Sequence, residues 1–164
     1  MKQIMLEFSA QGNLLRGWTD PASIAPQARQ LFGREWRAGL FGRLVARALR
    51  RQGRLLRLAE AQVVRCLKSR HYEGTRAVPL SAIRGSVDRS GDFDHTFRPT
   101  RRADEPRWVR VATLMLRGTP LPPVELIRIG EVYYVVDGHH RISVARALHQ
   151  SYIDSAVTVW ELAD

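Results

Sequence analysis

The segment VYYVVDGHHRISVARAL, residues 132–148, predicts a buried strand, a glycine turn and a helix in direct succession. The apolar run Tyr133–Val136 is typical of a strand that is covered on both faces, and the alanine-rich run Arg141–Leu148 is typical of a helix. Gly138 lies between them, where the missing side chain lets the backbone turn and approach a ligand closely. The segment therefore predicts a strand–turn–helix unit with carboxylate, imidazole and guanidinium groups at its turn.

The chain on either side of this unit indicates further strands and another helix. Asp104-Glu105-Pro106 puts acidic groups and a proline where a helix over Arg107–Arg117 begins. Gly130-Glu131 separates two short apolar runs, Val124–Ile129 and Val132–Val136, and so indicates a hairpin. Further strands are predicted over Val78–Ile83 and Ala156–Trp160. This mixture of elements predicts an α+β fold class.

Positive charge is concentrated in one part of the chain. The 164 residues carry a formal net charge of +10, and residues 28–76 hold thirteen Lys/Arg side chains against three acids. The other residues hold thirteen basic and thirteen acidic side chains, so that part is neutral. The asymmetry predicts a basic, mainly helical N-terminal extension over residues 1–76 and a separate domain over residues 77–164.

The basic extension is predicted to contain two helices. Apolar residues recur every three or four positions over Pro26–Arg51 and again over Leu55–Leu67. Basic side chains bind the phosphate backbone of DNA or RNA without base specificity, and the residues assigned to that role are Arg43, Arg47, Arg50, Arg51 and Arg54. An anionic membrane surface is the alternative partner for the first helix.

Composition excludes several classes of protein. Cys66 is the one cysteine, which rules out an internal disulfide framework and a multi-cysteine metal site. The apolar runs are too short to cross a bilayer, and the first residues lack the apolar core of a signal peptide. We therefore expect a soluble cytoplasmic protein without transmembrane insertion.

The polar residues of the strand–helix turn point to phosphate chemistry. The amides at a helix start favour an anion, and Arg141 can add a forked contact to the same phosphate. His139 and His140 supply hydrogen-bond donors or a proton shuttle, and Asp137 can hold Mg²⁺ through water. The alternative is a simple turn with solvated histidines. A metal site that adds His95 to this group is chemically allowed, but no ligand spacing marks it.

Three parts of the sequence resemble one known family. Residues 135–148, VVDGHHRISVARAL, are similar to the signature of the ParB/sulfiredoxin-like superfamily, and Val78–Ile83 is similar to the opening strand of the ParB N-terminal domain. Leu121-Pro122-Pro123-Val124 is similar to the strand entry before that signature. The resemblance covers about residues 77–161. It implies a small mixed sheet with packed helices, here preceded by the basic extension, and a nucleoside triphosphate (CTP or ATP) as the ligand.

The departures from the family patterns favour its DGHHR-containing branch. Sulfiredoxins have a catalytic cysteine directly before a His-Arg pair, where this chain has His139, and Cys66 lies outside the matched region. Partition ParB proteins read Gly-Glu-Arg-Arg where this chain has Gly138 to Arg141. The free-serine kinase branch carries Asp-Gly-His-His-Arg, but its catalytic glutamate would fall near Val87, which cannot act as a base.

The resemblance implies a set of site residues on two facing segments. Phosphate is expected at Gly138, His139, His140 and Arg141 and, on the loop that faces them, at Gly85, Ser86 and Arg89. If the site is catalytic, Asp137, His139 and His140 would act with an acid of the facing loop, for which Asp92 is our choice over Asp88 and Asp94. The leading hypothesis is a nucleotide-binding domain that also associates with nucleic acid. The alternatives are a small-molecule phosphotransferase or an NTP hydrolase and, after these, a nuclease; a homodimer stays open.

Overall fold

The computed structural model describes residues 21–48, 55–58, 67–88 and 91–163, without the side chains at positions 21, 22, 46 and 47. These residues form three α-helices and six strands, in the order α1 Pro21–Ala48, β1 Leu56–Arg57, β2 Leu67–Pro79, β3 Ile83–Ser86, α2 Glu105–Leu116, β4 Val124–Ile129, β5 Val132–Asp137, α3 His139–Ala147 and β6 Tyr152–Leu162. Short 3₁₀ turns precede β3 and α2. Within these ranges, no helix is both long enough and apolar enough to span a membrane.

The strands form one mixed sheet in the order β1-β3-β5-β4-β6-β2. The pairs β1–β3, β3–β5 and β4–β6 are parallel, whereas β4–β5 and β2–β6 are antiparallel. The long pairing of β2 with β6 carries two register shifts. The sheet therefore combines a hairpin, β4–β5, with strand pairs that bring distant segments of sequence together.

Helix α3 packs on one face of the sheet, which we call the inner face, and α2 reaches the core of that face through Met115. The side chains of the inner face, including Val124, Val135 and Val157, are fully buried and form one core with Ile142 and Ala145 of α3. Alternate residues of each strand point to this core because successive side chains of a strand face opposite sides. Burial on this face fixes the position of α3, whose first turn carries the polar residues of the DGHHR motif.

A second core joins the three helices to one another. Trp108 of α2 is fully buried and meets Phe32 of α1 edge to face, with ring centroids 5.6 Å apart. The Trp108 indole nitrogen donates a hydrogen bond to Ser143 Oγ of α3 at 2.8 Å, which satisfies the buried polar group. Ala28 of α1 and Ala112 of α2 let the helices approach closely in this cluster. The basic helix α1 is thus packed against α2 and contributes to the core.

Arg146 connects α3 to the chain between β2 and β3. One of its terminal nitrogens donates to the carbonyl oxygens of Leu80 at 2.6 Å and Ile83 at 2.8 Å. The guanidinium also lies over the ring of Phe97, with its carbon 4.8 Å from the ring centroid. Burial lowers the pKa of Arg146, and the nearby carboxylate of Asp94 opposes that shift. This cation orders the turn before β3 against the side of α3.

The other face of the sheet, the outer face, is covered differently. Leu58, Ile127 and Tyr134 are buried there and form a small cluster with half-buried Trp160. Gly85 is needed below the Tyr134 ring, because a Cβ at this position would lie 2.5 Å from Tyr134 Cε1 and 2.9 Å from the Leu56 carbonyl oxygen. Among the residues that the structure describes, none from a helix belongs to this outer cluster.

The structure confirms the predicted α+β class with a mixed sheet and packed helices. The predicted helix over Leu55–Leu67 is wrong at its ends, because residues 56–57 form β1 and residue 67 begins β2; positions 59–66 lie outside the described residues. Val78–Ile83 is not one strand, since β2 ends at Pro79 and a 3₁₀ turn precedes β3. The predicted division between residues 76 and 77 falls within β2 and stays a prediction.

Candidate functional site

The turn between β5 and α3 has a backbone that only glycine adopts easily. Gly138 has φ 98° and ψ 20°, in the left-handed region. A Cβ at Gly138 would lie 2.8 Å from the Cβ of Val124 and closer still to one of its methyl groups. The glycine is therefore required both by its conformation and by its packing against β4, independently of any ligand.

Helix α3 begins directly after Gly138, which has no side chain to cap the helix. The first hydrogen bond of the helix joins the Ile142 amide to the Gly138 carbonyl oxygen at 3.0 Å, and no side chain caps the N-terminus. The amides of residues 139–141 precede that bond, so the helical hydrogen-bond pattern does not use them. Such amides, together with the positive end of the helix dipole, favour an anion at this turn.

A cleft of about 230 Å³ opens at this turn. Its walls come from the end of β5, the start of α3, the segment before β4 and one face of α2, and its lining residues are Arg107, Val111, Leu121, Pro122, Val136, Asp137, Gly138, His139, His140 and Arg141. The structure thus brings the whole predicted DGHHR group to one cleft. It also adds Arg107, an exposed cation on the first turns of α2.

Both histidines of the motif are largely buried side chains that pack around Phe93. His139 is 4% exposed and His140 is 5% exposed. His139 stacks on the Phe93 ring at 5.9 Å, and His140 meets the same ring edge-on at 5.3 Å. The Nε2 atom of His139 shares a hydrogen bond of 2.8 Å with Ser86 Oγ, and the tautomer decides which atom donates. These contacts fix both rings, and their predicted catalytic roles stay predictions.

Asp137 and Arg141 form an ion pair at the rim of the cleft. Arg141 Nη2 donates to Asp137 Oδ2 at 2.7 Å; the Asp137 side chain is 61% exposed, whereas that of Arg141 is 14% exposed. Arg141 Nη1 donates to the carbonyl oxygens of Pro122 and Pro123, the latter at 2.9 Å. Arg141 therefore holds the proline segment against α3, and its predicted phosphate contact and the Mg²⁺ role of Asp137 stay predictions.

The predicted facing loop lies partly elsewhere. Gly85 is buried beneath Tyr134, and Ser86 is fully buried with its hydroxyl on His139, so neither lines the cleft. Asp92 pairs with Arg101 at 3.3 Å and is likewise not among the lining residues. Arg89 lies outside the described residues. Ser86 therefore does not contact the cleft itself, and its hydroxyl instead holds the His139 ring from the interior of the protein.

The segment after β3 is an ordered turn built on Asp94. The Asp94 carboxylate is buried and one oxygen accepts hydrogen bonds from the Thr96 amide at 2.8 Å, the Thr96 hydroxyl at 2.6 Å and the Arg98 amide at 2.9 Å. Arg98 also pairs with Glu35 of α1 at 3.2 Å. Because Asp94 is used in this way, it organises the turn that places Phe93 below the two histidines.

Of the arginines assigned to nucleic acid, the structure describes the side chain of Arg43 alone. Arg43 donates to the Thr100 carbonyl oxygen at 3.2 Å. The backbone of residue 47 belongs to α1, and Arg50, Arg51 and Arg54 lie outside the described residues. Within the described ranges, no group of three or more His, Cys, Asp or Glu side chains could hold a metal ion. The nucleic-acid role of these arginines stays a prediction.

Arg107 was missed from the sequence for a physical reason. The Asp104-Glu105-Pro106 signal predicted the helix start but says nothing about which cleft the helix faces. That orientation is set by the buried Trp108, whose indole is bonded to Ser143 of α3. A helical residue next to the anchored one points in a different direction, which here is towards the cleft.

Comparisons with known proteins concern the fold. No protein-family model matches the sequence, and no curated protein matches it. The crystal structure of sulfiredoxin from Arabidopsis thaliana is similar, with a TM-score of 0.39 and 20% sequence identity, over 51% of this chain and 82% of that chain. The described residues form an α+β architecture with a mixed six-stranded sheet and three helices. The DGHHR branch stays a prediction.

Proposed function

We propose that the cleft at the start of α3 binds the phosphates of a nucleoside triphosphate, CTP or ATP. The observation that carries this proposal is that the N-terminal turn of α3 lines one cleft together with Arg107 and Arg141. The positive end of the helix dipole and the two guanidinium groups favour the negative charge of phosphate. The residues that line this cleft belong to the part of the chain that has no net charge. Phosphate would therefore be attracted by the positions of Arg107 and Arg141 rather than by the net charge of that part.

Asp137 suits a cation that accompanies the phosphates. Its side chain is the exposed acid of the cleft, and carboxylates hold Mg²⁺ together with water and phosphate oxygens. Binding of Mg-nucleotide would compete with the Asp137–Arg141 pair and free one terminal nitrogen of Arg141 for phosphate. Binding of the metal to Asp137 and binding of phosphate to Arg141 would therefore favour each other, because both break the same ion pair.

The test is calorimetric titration of the full chain with each of the four ribonucleoside triphosphates, with and without Mg²⁺. Arg107→Gln should weaken CTP or ATP binding about 10- to 100-fold, because a charge-assisted hydrogen bond is lost. The matched control is Arg117→Gln, which removes the same charge at the opposite end of α2 and should leave the affinity unchanged. No binding of any triphosphate, or equal losses in both variants, would contradict the proposal.

The phosphotransferase and hydrolase alternatives are distinguished in the same samples. A nucleotide-binding module returns the nucleotide intact, whereas a hydrolase releases nucleoside diphosphate and inorganic phosphate. A phosphotransferase releases nucleoside diphosphate in proportion to an added hydroxyl acceptor, which becomes phosphorylated, and no inorganic phosphate accumulates. Turnover that is lost in Asp137→Asn while binding persists would favour the enzyme. A nuclease would instead shorten a labelled oligonucleotide.

We also propose that basic residues 28–76 associate with the backbone of DNA or RNA. The support is the excess of thirteen basic over three acidic side chains in that part of the chain. The full chain should bind duplex DNA with an affinity that falls steeply with salt, and Arg50→Gln, Arg51→Gln and Arg54→Gln combined should reduce the salt slope by about 3. An unchanged slope would contradict this role.

A further inference from the structure

A second cleft lies on the outer face of the sheet. Its volume is about 470 Å³, and it is lined by side chains of β2, β4, β5 and β6: Arg70, Tyr72, Glu125, Leu126, Ile127, Val136, Ala156, Thr158 and Trp160. The nucleotide cleft proposed above is at the start of α3, and the two clefts share Val136. The second cleft is therefore a different surface with different chemistry.

Two aromatic rings and a guanidinium stand side by side in this cleft. In the β2–β6 register Tyr72 pairs with Thr158 and Arg70 pairs with Trp160, so all four side chains lie on the outer face. Tyr72 and Trp160 are diagonal neighbours, roughly 7–8 Å apart in the backbone, which leaves each ring room for its own ligand group. Tyr72 is 62% exposed, and Trp160 is half-buried above the Ile127 cluster.

The basic and the acidic side chain that line the cleft lie on different strands. The edge strand β2 carries Lys68, Arg70 and Arg76 against one acid, Glu73. That acid is already engaged by Arg76 and Arg128, each at 3.2 Å. Arg70 makes no ion pair with any residue that the structure describes. Glu125, the acid among the residues that line the cleft, lies on β4, two strands away from β2, so an anionic chain is favoured along β2.

We propose that the outer face binds single-stranded DNA or RNA. Unpaired bases stack on Tyr72 and Trp160, and the phosphates follow β2 past Arg70 and Lys68. A duplex hides the faces of its bases, so the aromatic pair selects single strands. The apolar floor formed by Ile127 and Ala156 covers the edges of stacked bases. The basic residues of this site lie within residues 28–76, but base stacking on Tyr72 and Trp160 distinguishes the site from binding of the backbone alone. The site does not depend on the nucleotide cleft.

Binding of labelled oligothymidine and oligouridine to the full chain tests the proposal. Tyr72→Ala should weaken binding roughly 5- to 100-fold through loss of one stacked base, whereas Tyr72→Phe should retain the affinity because it keeps the ring. The matched control is Tyr152→Ala, since Tyr152 is 58% exposed on the same face of β6 but does not line the cleft. Equal effects of the Tyr72→Ala and Tyr152→Ala variants would overturn the proposal.

Two further measurements report on the site itself. Oligothymidine should quench tryptophan fluorescence, and Trp160→Phe should abolish most of that quenching; quenching that persists would place the bases elsewhere. Arg70→Gln should reduce the slope of log affinity against log salt by about 0.7, the value for one phosphate of a single strand. Quenching of Trp160 fluorescence by a duplex as strongly as by the single strand would also overturn the proposal, because a duplex does not offer its base faces for stacking.

Discussion

Gly138→Ala should destabilise the protein by about 2–5 kcal/mol, and the structure divides that loss into two parts. The first is conformational, because a residue with a Cβ pays about 1–2 kcal/mol to occupy the left-handed region. The second is steric, because the new methyl group would lie 2.8 Å from the Val124 Cβ and closer to one of its methyls. Overpacking of a buried valine costs about 1–3 kcal/mol.

Gly74→Ala is the control that separates the two parts. Gly74 has φ 105°, close to the 98° of Gly138, but a Cβ there would meet no atom within 4 Å. Its substitution should therefore cost about 1–2 kcal/mol, the conformational part alone. Urea unfolding of the two variants, followed by circular dichroism, measures the difference.

The double variant Gly138→Ala/Val124→Ala tests the steric part directly. Removing the valine methyls opens the space that the alanine needs, so the double variant should be more stable than the sum of the two single losses predicts. Equal losses for Gly138→Ala and Gly74→Ala, or strict additivity in the double variant, would refute the steric argument.

Two further predictions concern buried polar contacts. Ser143→Ala leaves the buried indole N–H of Trp108 without its 2.8 Å acceptor and should cost about 1–3 kcal/mol in thermal unfolding; an unchanged melting temperature would mean that the indole finds another acceptor. Arg146→Lys shortens the side chain and removes the planar guanidinium, one terminal nitrogen of which donates to two carbonyl oxygens and whose plane covers Phe97. It should cost about 1–3 kcal/mol in guanidinium unfolding and speed amide exchange around Ile83, and exchange that stays unchanged would contradict a role for Arg146 in ordering this turn.

The elements with strong local signals were predicted well from the sequence. The Asp104-Glu105-Pro106 signal predicted a helix from 107, and α2 begins at Glu105. Gly130 adopts φ 56° in the tight connection between β4 and β5, as the hairpin interpretation required. Gly138 separates β5 from α3 as predicted. In each case a proline, an acid or a glycine restricts its own backbone, so the information is local.

The errors occurred where contacts between distant residues decide the conformation. Val78–Ile83 has the composition of a strand, but Arg146, more than sixty residues away, binds the carbonyls of Leu80 and Ile83 across the turn. Leu56 has helical spacing to its neighbours, yet it forms a strand because it pairs with Gly85 of β3. Periodicity cannot report such partners.

The same distinction between local signals and distant contacts explains which residues of the candidate site were predicted from the sequence and which were not. The DGHHR residues were grouped correctly because they are consecutive in sequence. Ser86 was expected to face phosphate, but its hydroxyl supports His139 from the interior. Arg107 faces the cleft because Trp108 is packed between α1 and α3. Such packing between separate segments cannot be predicted from the sequence of one helix.

The position of β6 in the sheet has a consequence for folding during synthesis on the ribosome. β6 lies between β4 and β2, and among the described strands it is the sheet neighbour of β2. β2 is made early, but it can join the sheet only after residues 152–162 have been synthesised. This thirteen-residue strand therefore waits until β6 has been made, and this sheet is completed only then rather than progressively in the order of synthesis.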